Sequence, residues 1–199
     1  MQEQQLRCTT RIISITGEIA ALLGLGLSHG LTSNMSYEDL LEDTQMQSRL
    51  RKIALTLAGK DGGHNKFLES ISVYLDIKQP RYWWQEFDTY RVGMTKQSDS
   101  TIHGIFKKPV TQANFVTDIP DMFIDHINKI ISDTSKSTDE KMLTIKRILP
   151  ESFLQRRITV TNLKTLRNII MQRDTHRLPE WRLFINSVFS DGLVAQYIT

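Results

Sequence analysis

"RRITVTNLKTLRNIIMQR", residues 156–173, changes its period halfway along. RRITVTN reads as a short strand entering a helix that runs from Asn162 to Arg173. At about 100° per residue, Leu163, Leu166, Ile169 and Ile170 define the apolar face of that helix. Arg173 falls inside this face, near Leu166 and Ile169, and Asn162 falls there too. Lys164 and Asn168 share a neighbouring side one turn apart. A guanidinium on an apolar face needs a partner, because burying an unpaired charge is very costly.

Working outward from this junction gives the rest of the fold. On the C-terminal side, Trp181, Phe184, Ile185, Val188 and Phe189 mark a last helix. On the N-terminal side, STDEKMLTIKRILP opens with a capping box from Ser137 to Glu140 and stops at Pro150. IPDMFIDHINKII is amphipathic, with Ile119, Phe123, Ile127, Ile130 and Ile131 on one side and His126 at the surface. Residues 68–77, LESISVYLDI, read as a strand with Ile71, Val73 and Leu75 facing one way. Pro80 then starts an aromatic helix, where its missing N–H costs little. SYEDLLEDTQMQSRLRKIALTLAG supplies two helical pieces closed by Gly59. TRIISIT, residues 10–16, alternates as a strand, and EIAALLGLGL follows as a short buried helix. Gly24, Gly26 and Gly30 lack dinucleotide-loop spacing and close an apolar run, so they read as a helix end and turn. With no repeat, low-complexity segment or linker, residues 1–199 form one α+β domain.

The chain's 199 residues suit a single core, with 40% hydrophobic and 24% charged residues. The net charge of +3 fits a protein that handles anions, and fits scattered surface lysines equally well. Cys8 is the only cysteine, which excludes an internal disulfide and a cysteine-rich zinc site and fits a reducing compartment. There is no signal core or membrane-length apolar run, so the expected location is cytoplasmic, without a membrane partner. No recognition helix or basic stripe argues for nucleic acid. HExxH and the phosphate-binding Gly-Lys-Ser/Thr loop are absent, and no metal is expected. His64 and His176 are single histidines in turn-like contexts.

A second arginine repeats the anomaly of Arg173. In YWWQEFDTYR, a wheel extended from Tyr82 puts Arg91 beside Trp84 and Phe87. One such arginine is most simply a buried salt bridge, with Asp76, Asp88 or Glu180 as partner. Two, each flanked by amides or hydroxyls, point to an anionic ligand in a cleft. Arginine with asparagine suits a phosphate joined to a planar heterocycle with carbonyl and imide edges.

GGHNKFLESISVYLDI, WWQEFDTYR, IKRILPESF and TNLKTLRNIIMQRDTHRLPEW resemble, in order, the core motifs of the flavin-dependent thymidylate synthases. The resemblance covers roughly residues 50–185, with spacings that match from His64 to Arg91 and from Pro150 through Asn162 to Arg173. It implies that family's α+β fold, with helices packed on a small sheet. It also implies FAD as cofactor, held by His64, Arg91, Asn162, Lys164 and Asn168. The substrate set it implies is Gln85 or Glu86, Ser98, Ser100, Lys146, Arg147 and Arg173. Arg173 would read the pyrimidine edge and act as the catalytic group. The pattern departs from the family at Thr89 and Tyr90, where the signature has arginine and histidine. It departs again at Asp99, where the serine belongs, at Thr101-Ile102, and at Lys164, which keeps charge without the bidentate fork.

The activity so implied is reductive methylation of dUMP to dTMP, with methylenetetrahydrofolate and NADPH as co-substrates and Arg173 stabilising charge on the uracil carbonyl. The resemblance also implies a homotetramer with sites between subunits. The DTYRVG stretch is typical of bacteriophage relatives, which would place the protein in a host cytoplasm. Two alternatives stand beside this. One is a related enzyme acting on another pyrimidine deoxynucleotide, for example by hydroxymethylation. The other is a binding or structural protein that kept the fold and lost the flavin site.

Overall fold

The computed structural model describes residues 6–198, apart from the side chains of Ile102 and His103. Four strands, β1 (Thr9–Thr16), β2 (Ser72–Pro80), β3 (Thr95–Ser98) and β4 (Leu154–Asn162), form a small antiparallel sheet in the order β1-β2-β4-β3. Helices make up most of the rest, so the chain is α+β. The described residues group into two compact units: 10–76, 91–96 and 159–198, and 6–9, 77–90 and 97–158.

The first unit contains helices α1 (Glu18–Ser28), α2 (Tyr37–Glu42) and α3 (Thr44–Ala58) near its start. Ser36 and Asp39 form a reciprocal capping box on α2, and the Asp43 side chain accepts from Met46 N–H to start α3. Helix α1 packs on α3 and on the tight 3-10 turn at Lys66–Ser70. That turn displaces the expected start of the central strand. Leu68 N–H donates to Asn65 C=O and Ile71 N–H to Leu68 C=O, so the backbone is satisfied locally, and β2 begins at Ser72 rather than residue 68. Val73, Leu75 and Ile77 alternate inward along it.

Glu18, Arg51 and Tyr197 tie three helices of this unit together. Arg51 donates to both Glu18 oxygens at 3.0 and 2.9 Å, and Tyr197 OH donates to Glu18 Oε1 at 2.9 Å. The Arg51 hydrogen bonds lower the Glu18 pKa against the opposing effect of burial, and the same pairing raises that of Arg51. Burial, then the Glu18 charge, pushes the Tyr197 phenol upward. Tyr197 lies on α10 (Gly192–Ile198), a helix beyond the one expected to be last. Before it, α9 (Pro179–Phe189) buries Trp181, Phe184, Ile185 and Val188 as its spacing predicts.

In the second unit, α4 (Arg81–Phe87) buries Trp83, Trp84 and Phe87. Trp83 stacks on Phe87 at 4.7 Å, and Trp84 meets both rings edge-on. Pro80 is still extended (φ −69°, ψ 157°), so it caps α4 from the end of β2 and is not the first helical residue. A short helix α5 (Thr101–Gly104) precedes α6 (Asp121–Ser132) and α7 (Thr138–Ile148). Ile124, Ile127 and Ile130 of α6 join Ile145, Leu149, Phe115 and Phe153 in one cluster. Phe123, expected on this face, is 49% exposed, and Ile124 takes its place. His126 is exposed, as expected. The Ser137–Glu140 capping box starts α7.

Candidate functional site

The strand-to-helix junction read from the sequence is present where it was expected. β4 ends at Asn162, whose side chain accepts from Thr165 N–H at 2.9 Å and so caps α8 (Leu163–Arg173). Leu163, Leu166, Ile169 and Ile170 are buried. They fix which way the remaining side chains of α8 point.

The 91–94 turn sits against the first turn of α8. Thr165 Oγ1 donates to Val92 C=O at 3.2 Å. Gly93 has φ +67°, and a Cβ there would lie 2.5 Å from Asn162 Nδ2 and 3.0 Å from Thr165 Oγ1. Only glycine fits both the backbone angle and the space. This holds Arg91, exposed, at the approach to the α8 N-terminus. The helix dipole favours anions at such an end, while the Leu163 and Thr165 N–H groups are already taken by Ile71 C=O and the Asn162 side chain.

Lys164, one residue into α8, pairs with Glu69 at 2.5 Å. Glu69 in turn lines a cavity of about 740 Å³ together with His64, His29 and Lys66. Gly24 of α1 lines the same space, and nothing lies within 4 Å of where its Cβ would be. The 91–94 turn, Asn162 and Lys164 thus meet at one end of α8, and Lys164 is joined through Glu69 to the cavity that His64 lines. Asn168 is exposed further along and accepts from Gln172. Arg173 closes the helix at its other end, about 16 Å away by helical rise. Its guanidinium lies over the Trp181 ring at 4.8 Å, a cation–π contact. This explains how a charge is tolerated on the apolar face.

The other expected residues lie in the unit that contains α4. Gln85 donates to Glu151 at 3.0 Å, and Glu86 beside it is half-buried. Ser98 ends β3. Lys146 Nζ donates to Thr101 Oγ1 at 2.8 Å, and Arg147 is exposed next to it in the last turn of α7. Ser100 and Asp99 line a second cavity, of about 570 Å³.

One placement corrects the sequence reading. Arg91 does not continue the α4 wheel, because α4 stops at Phe87 and two successive turn hydrogen bonds, from Thr89 and Tyr90, end its periodicity. The arginine of that cluster is Arg157, from β4. It lies 4.2 Å over the Trp84 ring and donates to both Asp88 oxygens at 2.9 and 3.0 Å. Nothing in the local sequence signals this pair, whose members are 69 residues apart. Among the described residues, no group of three or more His, Cys, Asp or Glu side chains is placed to hold a metal ion. No helix there is long and apolar enough to cross a membrane.

The sequence matches no protein-family model and no curated protein. Its fold is that of the flavin-dependent thymidylate synthases. The chain superposes on the flavin-dependent thymidylate synthase ThyX of Helicobacter pylori, complexed with FAD and dUMP, with a TM-score of 0.72. That match covers 95% of this chain and 96% of the other at 15% identity. A second structure of the same enzyme, also with FAD and dUMP, gives 0.68 at 15% identity, covering 96% of each chain. The UMP/dUMP methylase PolB of Streptomyces cacaoi, bound with 5-Br dUMP, gives 0.57 at 12% identity, covering 90% and 86%.

Proposed function

We propose that this protein is a divergent flavin-dependent enzyme that modifies the pyrimidine ring of a deoxynucleotide. The reaction it fits best is reductive methylation of dUMP to dTMP, with methylenetetrahydrofolate and NADPH as co-substrates. This reading is supported by the 91–94 turn held against the first turn of α8, which carries Asn162 and Lys164, in a fold shared with a synthase complexed with FAD and dUMP.

These residues fit FAD in kind. Arg91 is an exposed cation beside a helix N-terminus, His64 borders a roomy cavity, and Gly24 leaves space that a side chain would fill. The flavin, when bound, supplies the hydride chemistry. The chain's own residues bind and orient. Arg91 would meet the phosphates, with Asn162 held in place by Gly93 and Thr165. Asn168, exposed further along α8, would face the same ligand. Arg173, kept from swinging by Trp181, would stabilise negative charge on a uracil carbonyl. Gln85 or Glu86, Ser98, Ser100, Lys146 and Arg147 would contact the nucleotide. A homotetramer with sites between copies belongs to the same reading.

Lys164 favours a second reading. Its charge is already taken up by Glu69, as it would be in a relative that kept the fold and lost the cofactor. An absorbance spectrum separates the two. Flavin bands that bleach with NADPH in a dUMP-dependent way support the enzyme, and a chain that stays colourless with added FAD supports the binding protein.

A further inference from the structure

Residues 99–101 form one wall of the cavity of about 570 Å³. Where the synthase pattern has a serine, Asp99 adds a negative charge, and where it has an arginine, Thr101 removes a positive one. The wall is firmly held despite these exchanges. Asp99 N–H donates to Arg156 C=O at 2.8 Å, Gln155 Nε2 donates to Asp99 C=O at 3.1 Å, and Lys146 Nζ donates to Thr101 Oγ1 at 2.8 Å. The same cavity is lined by Lys78 of β2 and by Lys107 and Lys108, which follow α5. The segment that carries the last two is tied to α6, where Asn128 exchanges two hydrogen bonds with the Val110 backbone at 2.8 and 2.9 Å. None of these three lysines forms an ion pair or a side-chain hydrogen bond among the described residues. Arg156, which also lines the cavity, is already engaged within the protein.

We propose that Lys78, Lys107 and Lys108 hold the 5′-phosphate of the deoxynucleotide in this cavity. Three lysines against Asp99 leave two positive charges, which match the roughly −2 of a phosphate monoester. Relative to the synthase pattern, the 99–101 wall has lost two charges, and the lysines restore that balance from other segments. An uncharged ligand would call for no such restoration. Lysine suits a displaced site, because its ammonium is a point charge on a flexible stem and needs no fixed fork geometry. The apolar part of the lining, with Ile105, Val110, Phe153 and Leu154, limits the water around these charges and so strengthens their pull. None of the three lysines belongs to the residue set that the resemblance implies. The nucleoside part rests on the function proposed above, whereas the phosphate part rests on the cavity's charge.

The test is titration calorimetry on the full chain, with and without FAD, using dUMP, deoxyuridine and dAMP. dUMP should bind at least roughly tenfold tighter than deoxyuridine. The single variant K78Q and the double variant K107Q/K108Q should each weaken dUMP several-fold and leave deoxyuridine unchanged, and Asp99→Asn should tighten dUMP. Added salt should weaken dUMP binding less in K107Q/K108Q than in wild type. Lys107 and Lys108 are exposed and Lys78 half-buried, and a thermal melt of each variant confirms that the fold is kept. Equal binding of dUMP and deoxyuridine, or lysine variants that bind dUMP as wild type does, would overturn the proposal. Variants that weaken both ligands alike, or binding of neither nucleotide, would overturn it too. Failure of the function proposed above shows differently. dAMP bound as tightly as dUMP, with the same lysine dependence, removes the pyrimidine and leaves the phosphate site standing. dUMP binding that keeps this dependence while FAD does not bind removes only the flavin.

Discussion

Arg157 and Arg91 carry the same group in opposite surroundings, one to hold the fold and the other open to a ligand. Arg157 is 15% exposed, lies over Trp84 and satisfies both oxygens of Asp88. Arg91 is exposed in a glycine turn and forms no ion pair among the described residues. A guanidinium that is paired and stacked has spent its hydrogen-bonding capacity inside the protein. One that is exposed at a helix N-terminus has kept it for an anion. The YWWQEFDTYR segment contains only the second of these, although its aromatics belong to the first.

The contrast is broken most directly by removing each arginine in turn. Arg157→Ala removes the guanidinium that donates to both Asp88 oxygens and uncovers Trp84, and should cost about 2–3 kcal/mol, less than a fully buried pair because Asp88 is partly exposed. Arg91→Ala should change stability by about 0.5 kcal/mol or less, while weakening binding of FAD or another anion at that site. Thermal melts and binding isotherms of the two variants check this. Reversal of the pattern would mean the two roles had been exchanged.

Gly93→Ala sharpens the same comparison, because it disturbs the Arg91 turn without touching a charge. The positive φ and the clash with Asn162 should cost about 1–2 kcal/mol. Flavin affinity should fall with it if Asn162 contributes to the site. Unchanged melting would show that the turn is not held against α8.

Glu18→Gln probes a paired charge of the first kind. It should cost about 1 kcal/mol near neutral pH, since Arg51 is partly exposed. The folded Glu18 carboxyl lies below its ordinary value, near 4.5. Its contribution is therefore full above that pH and is lost as pH falls through the depressed folded value. Denaturant unfolding of wild type and variant should converge on acidification. A gap that widens at low pH would contradict the pairing.

Glu69→Gln should have the smallest effect on stability, because the Lys164 pair is partly exposed. It releases the one cation of the α8 cluster that is internally neutralised, so FAD affinity should rise several-fold. A fall would show that Glu69 itself contacts the ligand.

These differences also explain what could be read from the sequence. The β4–α8 junction was legible because its signals are local: alternation, then helical spacing, with an asparagine at the change. The anomaly of Arg173 was legible for the same reason, although its companion Trp181 was not assigned to it. Arg91 was misplaced because a wheel assumes that a helix continues, and α4 is ended by turn hydrogen bonds after seven residues. Arg157 and the Lys164–Glu69 pair were invisible because their partners lie 69 and 95 residues away. The lysines of the second cavity, Lys78 and the adjacent pair Lys107 and Lys108, come from two segments with no motif between them. Resemblance to the synthases supplied the candidate residues, and the tertiary structure distinguishes the neutralised charge of Lys164 from the open charge of Arg91.

Whether the open charge of Arg91 beside α8 serves a flavin is tested most directly by the visible absorbance spectrum of the purified protein with added FAD, recorded for wild type and Arg91→Ala. Flavin bands are expected to stay with the wild-type protein through gel filtration, to be largely lost in the variant, and to bleach with NADPH when dUMP is present. A wild-type protein that stays colourless, or an Arg91→Ala variant that retains FAD as well as wild type, would contradict it.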